Sequence, residues 1–456
     1  MCVKSRISVH RVAKTESIHT EKPCSVGGVS ETVRIGLLGC GNVGAAFVEL
    51  VNERAATIAE RTGINLTISK VAVRDASRAR GVSLPNGAVV TDVNAVVEDP
   101  NVDLVVEVMG GIDPARGAIT AALGKGKPVV TANKALLADS GVGLFAAADS
   151  AGVDLLFEAA VAGGIPFIRP LRESLRGEPI RRVMGIVNGT TNFILTKMTE
   201  DGADYGDVLR EAQQLGFAEA DPTADVEAFD AAAKCAIIAS IAFGADVRAA
   251  DVHREGITSI TAADIAVAAR LGYVIKLLAI AERSGDSGEL SVRVHPAMVP
   301  TSHPLASVRE AYNAVFVEGE AVGSLMFYGR GAGGDPTASA VLGDVIDAAV
   351  NLKKGTHAML GSFARPRFTP IDDTTSEYLL PLEVVDQPGV LHAITGVFAK
   401  HGVSIRAAEQ VGIGENARLV FITHDAREAS VHACLAEFTQ LNVVKRSGGF
   451  IRVVGR

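Results

Sequence analysis

Residues 33–44 read VRIGLLGCGNVG and decide the fold of the first part of the chain. The uninterrupted apolar run predicts a short buried strand, and the stretch after it fits GxGxxG and leads into a helical sequence. In that context glycines let backbone N–H groups approach a pyrophosphate at the N-terminus of the helix. A glycine-rich turn without a ligand is the alternative. We expect a dinucleotide cofactor bound by Gly39, Gly41, Asn42, Val43 and Gly44.

The segments that follow continue to alternate between strands and helices. Strand-like runs come at 66–75, 102–110 and 127–133, with a helix at 114–124 between the last two. Such alternation predicts parallel βαβ units in a doubly wound α/β sheet. Residues 33–160 are therefore expected to form a Rossmann-type domain that binds NAD or NADP.

From residue 161 the pattern changes to helices followed by consecutive strands. Helices are predicted at 205–215, 224–243 and 262–271, and strands at 273–282, 290–299, 313–319 and 324–329. This order predicts an α+β domain with a largely antiparallel sheet. A further helix at 335–355 is expected to begin with Asp335 as its N-cap. Residues 161–360 are therefore expected to form a domain for substrate binding and dimerisation.

The C-terminal part is expected to be a separate small domain. Residues 361–376 contain two prolines and no apolar periodicity, which is typical of a linker. The order of predicted elements over 377–456 is βαββαβ, with a single last strand at 442–454. That order is the ferredoxin-like arrangement.

The composition excludes several classes of protein. Of the 456 residues 48% are hydrophobic and 21% charged, so wholesale disorder is excluded. A formal net charge of −8 argues against a protein that binds nucleic acid or an anionic membrane. No run reaches the roughly 18 apolar residues that a membrane-spanning helix needs.

The cysteines and the N-terminal segment bear on localisation. Five cysteines are scattered without a CxxC pair: Cys2, Cys24, Cys40, Cys235 and Cys434. An odd, unclustered set predicts a reducing, cytoplasmic compartment and no structural zinc. Residues 1–32 match no motif and are expected to be a disordered tail. A mitochondrial-type transit peptide and a start codon placed too early are the alternatives, whereas the lack of a continuous apolar stretch argues against a secretory signal.

Two predicted strand ends carry residues suited to ligand binding. The second strand ends in Arg74 and Asp75. An arginine at this place pairs with the 2′-phosphate of NADP, and an acidic residue binds the ribose hydroxyl of NAD, so both cofactors stay open. The fourth strand ends in the sequence TANK, which puts Lys134 at the edge where ligands bind in such folds. A solvated loop lysine is the alternative for Lys134.

The segment 212–234 reads AQQLGFAEADPTADVEAFDAAAK and is dense in carboxylates. Asp230 and Lys234 are four residues apart and share one face of a predicted helix. An exposed ion pair of small effect is one interpretation. Lys234 is flanked by a nearly continuous apolar sequence, however, and burial beside a carboxylate turns a lysine into an acid/base group.

These motifs resemble the homoserine dehydrogenase family, in the form that carries a C-terminal ACT domain. The family's long spaced signature is matched at Ala212, Gly216, Phe217, Ala218, Asp221, Pro222, Asp225, Val226, Asp230 and Lys234. The resemblance extends to EAAVAGGIP (158–166), VNGTTNFIL (187–195) and GRGAGGDPTASAV (329–341). The chain departs from the family at Ala228, where the signature has glycine.

The resemblance implies the NADP- or NAD-linked interconversion of L-homoserine and L-aspartate 4-semialdehyde, in the biosynthesis of threonine, methionine and isoleucine. It implies that Lys234 exchanges a proton with the substrate oxygen, with Lys134, beside the nicotinamide, as the alternative acid/base. Glu219 and Asp230 would hold the substrate, chiefly its ammonium group.

The resemblance also implies further ligand contacts. Gly331 and Gly333 would contact the cofactor. A monovalent cation, sodium, would be bound by Glu158 and by the carbonyls of Val161, Gly163 and Ile165. A simple glycine-rich turn is the alternative to that cation site.

The last unit opens with DQPGVL at 386–391, which resembles the entry of an ACT domain. The resemblance implies feedback by L-threonine bound at Asp386, Gly389, Val390 and Leu391, in a homodimer or homotetramer. A purely structural or dimerising unit is the alternative. Two rival functions remain: a dehydrogenase of 2-hydroxy acids, for which we find no suitable histidine, and an inactive amino-acid sensor.

Overall fold

A computed structural model describes residues 31–284, 288–412, 414 and 417–454. Nearly all of the predicted tail lies outside the described residues, as do Cys2 and Cys24. Glu31 and Thr32 already belong to the first strand, which therefore begins inside the segment that we predicted to be a tail.

The first domain is a six-stranded parallel sheet covered by helices. Its strands are β1 (Glu31–Leu38), β2 (Ile64–Ala72), β3 (Val89–Val90), β4 (Leu104–Glu107), β5 (Val129–Thr131) and β6 (Leu155–Leu156). Its helices are α1 (Asn42–Thr62), α2 (Asn94–Val97), α3 (Asp113–Gly124) and α4 (Lys134–Ala151). The strand order β3–β2–β1–β4–β5–β6 confirms the doubly wound fold, and its direction reverses between β1 and β4. Ligands bind in such sheets at that reversal, outside the carboxyl ends of the strands.

The second domain surrounds an antiparallel sheet. Its first elements are α5 (Ile168–Arg172), β7 (Ile180–Ile186), α6 (Gly189–Asp201), α7 (Tyr205–Gln214), α8 (Thr223–Val226), α9 (Phe229–Phe243) and β8 (His253–Arg254). They are followed by α10 (Ala262–Arg270), β9 (Tyr273–Arg283), β10 (Leu290–Pro300), β11 (Tyr312–Gly319), β12 (Ser324–Arg330) and α11 (Gly334–Lys354). The sheet has the order β12–β11–β7–β9–β10. Helix α11 returns to the first domain, where Val341 and Val345 share a core with Phe47 of α1.

The C-terminal unit has the predicted ferredoxin-like order. Its elements are β13 (Thr375–Val384), α12 (Val390–Lys400), β14 (Ile405–Val411), β15 (Arg418–Thr423), β16 (Ala426–Arg427), α13 (Glu428–Phe438), β17 (Val444–Ser447) and β18 (Ile451–Val453). The strands lie in the order β18–β13–β15–β14. The single last strand that we predicted is divided into β17 and β18.

The C-terminal unit is joined to the second domain by backbone pairing. Strand β18 runs parallel to β10, with Ala297 opposite Arg452, so both sheets form one twelve-stranded sheet. Leu379 and Ile422 of the C-terminal unit also belong to the main hydrophobic core. The two prolines of the linker predicted a separate domain. Instead, β18 pairs with the edge of β10 and extends its sheet.

Two local predictions were wrong. The helix predicted over 224–243 is broken into α8 and α9, because Ala228 takes a left-handed backbone conformation with φ +63°. Helix α11 is capped by Gly333, and Asp335 lies in its first turn. An acidic side chain in a first turn still complements the positive end of the helix. Within the described residues, no helix has the length and apolar character to cross a membrane.

Candidate active site

Lys234 lies on the second turn of α9 and is only 8% exposed. Its Nζ donates to the Val187 carbonyl at 2.7 Å and to Asp230 Oδ2 at 2.8 Å. The spacing of four residues places both side chains on one helix face, as predicted. Because the ammonium group is removed from water yet holds two fixed acceptors, its position is tightly defined.

Lys134 reaches the same carboxylate from the first domain. It is the first residue of α4, and its Nζ lies 2.6 Å from Asp230 Oδ1. Burial favours a neutral Asp230 carboxyl, but the charges of Lys234 and Lys134 outweigh it and hold the pKa well below its usual range. Burial also opposes the charge on Lys134, and Asp230 reverses that effect and raises the pKa of the lysine.

Three polar residues that we did not select from the sequence support this centre. Asn188, the N-cap of α6, donates to Asp230 Oδ2 at 2.9 Å and to Asp225 Oδ1 at 2.7 Å. Thr190 donates to Asp225 Oδ2 at 3.1 Å. Asn188 and Thr190 belong to the VNGTTNFIL motif and Asp225 to the signature, so the motifs could have suggested all three.

The implied substrate carboxylates take different positions. Both oxygens of Asp230 are occupied by Lys134, Lys234 and Asn188. The Asp230 carboxylate therefore already neutralises two lysines, and its implied contact with the substrate ammonium group stays a prediction. Glu219 is exposed, and its charge contributes to the raised pKa of Lys134, so it lies on the open side of the centre.

Ala228 sets the direction of α9. Its left-handed conformation ends one hydrogen-bonded turn and starts the next, because its N–H donates to the Asp225 carbonyl and its carbonyl accepts from Ala232. This conformation costs a residue with a Cβ about 1–2 kcal/mol, and glycine avoids the cost. The family's glycine at this place therefore has a conformational reason.

Ala228→Gly is expected to leave the free energy of unfolding nearly unchanged. Relief of the left-handed conformation offsets the buried methyl group that is lost, worth about 0.8 kcal/mol, and the added flexibility of the unfolded chain. Ala232→Gly is the control, since this residue lies inside α9 and its change should cost about 1 kcal/mol or more. Chemical denaturation measures both. Equal losses would contradict strain at Ala228.

A cleft of about 310 Å³ lies beside the two lysines. It is lined by Val43, Val108, Met109, Gly110, Ala132, Asn133, Lys134, Ala159, Ala160, Gly163, Lys234, Gly331, Ala332 and Thr337. These residues come from the start of α1, the segments that follow β4, β5 and β6, helix α9, and the loop before α11 with its first turn. The cleft thus joins the sheet edge expected for a dinucleotide to the lysine pair.

The glycine-rich loop fits a dinucleotide. A methyl group on Gly39, where φ is +97°, would lie 2.8 Å from the Val108 carbonyl, and one on Gly44 would collide with the Gly39 carbonyl. A methyl group on Gly41 would meet no atom within 4 Å. Gly39 and Gly44 therefore allow close packing of the loop, while Gly41 leaves open space at the N-terminus of α1 for a pyrophosphate.

A buried carboxylate organises the strand ends that carry Lys134. Glu107 is 0% exposed and accepts from the Thr131 hydroxyl at 2.6 Å and the Met109 N–H at 2.8 Å. The Asn133 side chain caps α4 by accepting from the Leu136 N–H, and it donates to the Gly111 carbonyl at 2.7 Å. The loop after β4 and the start of α4 are thereby held together, which fixes the direction of Lys134.

The residues proposed to discriminate between the cofactors lie just beyond β2. Arg74 is exposed, whereas the Asp75 carboxylate accepts from the N–H and hydroxyl of Ser77 at 2.9 and 2.6 Å. Burial raises the pKa of the Cys40 thiol in the glycine-rich loop, and the charge of Arg80 opposes that shift. Arg80 was not selected from the sequence.

The loop before α11 contacts the turn that carries the implied cation ligands. A methyl group on Gly163 would collide with the Gly331 carbonyl, and Gly331 lines the cleft. Gly333 caps α11, but it is not among the residues that line the cleft. Gly331 is therefore the better placed of the two residues to contact a cofactor.

The implied cation ligands divide into two groups. The Glu158 carboxylate accepts from the N–H groups of Phe167, Ile168 and Arg169 at 2.5, 2.6 and 2.8 Å. It therefore satisfies the free N–H groups at the start of α5, so its side chain fits the expected role of a cation ligand poorly. Across the described residues, no N–H donates to the carbonyls of Val161, Gly163 and Ile165, and no cluster of three His, Cys, Asp or Glu suits a metal.

The implied effector residues lie at the start of α12. Asp386 Oδ2 accepts from the Gly414 N–H at 2.8 Å. Gly389 caps α12 with φ +91°, Val390 is buried and Leu391 is exposed. Asp386, Gly389 and Leu391 thus share one exposed turn, whereas Val390 supports it from the core.

Comparisons with known proteins match all three parts of the chain. A family model described as homoserine dehydrogenase matches residues 166–346, its NAD-binding domain matches 39–158, and an ACT domain matches 378–442. Homoserine dehydrogenases of Mycobacterium tuberculosis and Corynebacterium glutamicum are both 49% identical, over 94% and 93% of this chain and 99% and 96% of their own length. A crystal structure of a homoserine dehydrogenase from Thiobacillus denitrificans is 40% identical, with a TM-score of 0.88 over 93% of this chain and 98% of that chain.

Proposed function

Because the chain belongs to the homoserine dehydrogenase family and is an NAD(P)-linked oxidoreductase, we propose that it interconverts L-homoserine and L-aspartate 4-semialdehyde. One observation carries the assignment of the site: Lys134 and Lys234, from two domains, meet on Asp230 beside the cleft. Such an arrangement can bind an oxygen at the reacting carbon and move its proton.

Lys234 is the proposed acid/base group. A nicotinamide bound in the cleft would supply the hydride chemistry. In the oxidation, the neutral Lys234 amine takes the hydroxyl proton as the carbon–hydrogen bond of the same carbon breaks. In the reduction, the Lys234 ammonium returns that proton to the aldehyde oxygen. Asp230 stabilises the charged lysine, and Glu219, on the open side, is the better candidate to bind the substrate ammonium group.

An assay of substrate-dependent nicotinamide reduction tests the function and separates it from its rivals. We expect reduction of NADP or NAD with L-homoserine and little with a simple 2-hydroxy acid such as L-lactate. Faster turnover of the 2-hydroxy acid would favour that class of dehydrogenase. Cofactor binding without turnover of either substrate would favour an inactive sensor.

Arg74→Ala is expected to raise the KM for NADP more than the KM for NAD. Only NADP carries a phosphate that the exposed guanidinium can bind, and such charge-assisted hydrogen bonds are worth about 1.5–3 kcal/mol, or roughly 10-fold to 150-fold. Initial-rate kinetics with both cofactors measure the change, and NAD is the internal control. Equal changes for both would place Arg74 outside the site and leave Arg80 as the candidate.

A monovalent cation is proposed at the turn 161–165. Carbonyl oxygens are suitable ligands for a hard cation, and those of Val161, Gly163 and Ile165 receive no N–H group from the described residues. Gly163 packs against Gly331, which lines the cleft, so an ion at this turn would lie next to the wall of the cleft. Thermal unfolding in sodium and in choline salts of equal ionic strength tests this, and equal melting temperatures would argue against the site.

Feedback by L-threonine is proposed for the C-terminal unit. The exposed turn with Asp386 offers a carboxylate and the N-terminus of α12, which suit the two charged ends of an amino acid. Isothermal titration with threonine tests the binding. An inhibition of 5-fold to 150-fold would match the usual coupling of about 1–3 kcal/mol. Neither binding nor inhibition would favour a unit that only assembles subunits.

A homodimer or homotetramer is also proposed. Strand β12 is an edge of the large sheet and carries the exposed Tyr328, with the exposed Val322 just before the strand. An edge with apolar side chains tends to pair with another chain. Light scattering of the purified chain measures its mass in solution. A monomer at assay concentration would contradict the proposal.

A further inference from the structure

Arg452 lies buried where the C-terminal unit joins the second domain. It belongs to β18, and its side chain is 2% exposed. Its guanidinium donates to Glu428 of the same unit at 2.7 and 2.5 Å. It also donates to both oxygens of Glu255 in the second domain, at 3.0 and 2.7 Å. One side chain therefore bonds both sides of the junction with fixed, bidentate geometry.

Glu255 is part of a short segment, residues 253–258, that follows the 3-10 turn after α9. His253 Nε2 lies 2.8 Å from Glu255 Oε1. Burial favours a neutral Glu255 carboxyl, but the hydrogen bonds from His253 and Arg452 outweigh it and hold the pKa well below its usual range. Glu255 is thus a charged group that His253 and Arg452 orient.

The other side of this segment contacts the turn that begins α9. The Ile257 N–H donates to the Val226 carbonyl at 2.9 Å, and the Thr258 hydroxyl donates to Glu227 at 3.0 Å. A methyl group on Gly256 would collide with the Val226 carbonyl and lie 2.8 Å from Glu227 Cα. The segment therefore lies directly against residues 226–227, with no room for a side chain at Gly256.

A fourth contact reaches the start of α9 itself. The Arg254 guanidinium stacks on the ring of Phe229 with 3.8 Å to its centroid. Phe229 directly precedes Asp230, and Lys234 follows one turn later. Consecutive residues of one segment thus contact Arg452 on one side and the helix of the proposed acid/base pair on the other.

We propose that Arg452 is a positioning residue for the reaction, which acts through Glu255 and residues 253–258 on the turn that orients Asp230 and Lys234. The inference rests on the proposed function. Through these contacts the C-terminal unit helps to fix the geometry of the active site. A rearrangement of β18 would therefore displace Asp230 and Lys234. Displacements of about 1 Å at a reacting group cost on the order of 10²-fold in rate, so a small shift suffices.

Glu255→Gln tests this in the full chain, because it weakens the bond to Arg452 and leaves the buried pair of Arg452 and Glu428 intact. We expect kcat/KM for homoserine to fall about 10-fold, since the displaced helix misplaces the proton-transfer group. The dissociation constant for NADP should stay the same, because none of residues 253–258 is among the described residues that line the cleft. A merely structural role would not produce that difference between the two substrates.

Two further variants keep the test decisive. Arg418→Met breaks a second ion pair across the same junction, with Asp264 at 2.8 Å, and neither partner belongs to residues 253–258. It should leave homoserine kinetics unchanged. Gly256→Ala pushes on the Val226 carbonyl without any change in charge and should reproduce the kinetic effect of Glu255→Gln.

Unchanged homoserine kinetics in folded Glu255→Gln would overturn the inference, as would equal losses in Glu255→Gln and Arg418→Met. If Glu255→Gln fails to fold, Gly256→Ala decides in the same way. Absence of homoserine turnover in the unmodified chain would instead contradict the proposed function. The two failures are therefore distinguishable.

Discussion

Lys234→Ala should lower kcat by about 10²–10⁴-fold while the chain still folds and binds cofactor, because a positioned acid/base group typically contributes that much. The amine is held by the Val187 carbonyl and Asp230. Alanine has no side-chain group that can exchange a proton with the substrate. Single-turnover kinetics with saturating cofactor measure the loss directly. Cofactor titration by fluorescence shows whether the first domain is intact.

Lys276→Met is the matched control for this variant. Lys276 is also a buried lysine, and its Nζ donates to the Val308 carbonyl at 2.6 Å, outside the cleft. Burial lowers the pKa of this lysine to about 8. Its loss should affect stability and leave the rate of the chemical step unchanged. Near-normal turnover by Lys234→Ala would move the acid/base assignment to Lys134.

Asp230→Asn is expected to lower kcat about 10²-fold. The amide retains the shape of the side chain but cannot neutralise Lys134 and Lys234, so the two ammonium groups repel each other and move from their positions. At present the charge of Asp230 outweighs burial and raises the pKa of Lys134. Without that charge the pKa of Lys134 should fall. If deprotonation of Lys134 causes the decline of kcat at alkaline pH, that decline should then begin at a lower pH.

Asp221→Asn is the control in the same motif. Asp221 is exposed and accepts from the Thr223 N–H at 3.1 Å, a bond that asparagine can also make. Its turnover should match that of the unmodified chain. If Asp230→Asn behaves in the same way, the carboxylate is not needed to hold the two lysines.

The pH dependence of stability gives a second readout for Asp230. Its pKa in the folded chain lies below the ordinary value of about 3.9, so its contribution to stability is complete above that value and is lost as the pH falls. The difference in unfolding free energy between the chain and Asp230→Asn should therefore be largest near neutral pH and shrink on acidification. A difference that grows at low pH would contradict an ionised, paired carboxylate.

The sequence was sufficient for features with local causes. Alternation of strands and helices predicts the first domain, and the spacing of Asp230 and Lys234 predicts their shared helix face. The short elements in the middle of the second domain were not predicted. Strand β7 and helix α6 lie in the middle of the second domain, and their pairing with distant strands determines their structure more than local propensity.

The connections between domains could not be inferred from local patterns. Lys134 and Asp230 are far apart in the chain, and only the packing of α4 against α9 brings them together. The extension of β10 by β18 was missed for the same reason, since a linker with two prolines gives no sign of where the next unit docks. The break at Ala228 was hidden because alanine favours a helix, and tertiary contacts override that preference.

Transfer of deuterium from substrate to cofactor shows directly whether this chain oxidises L-homoserine. The purified chain is incubated with NADP and L-homoserine that carries deuterium on the carbon bearing the hydroxyl group, and the reduced cofactor is analysed by mass spectrometry and nuclear magnetic resonance. We expect one deuterium at C4 of the nicotinamide in each reduced cofactor, with L-aspartate 4-semialdehyde as the other product. Reduced cofactor without deuterium, or no reduction by a folded chain that binds NADP, would contradict it.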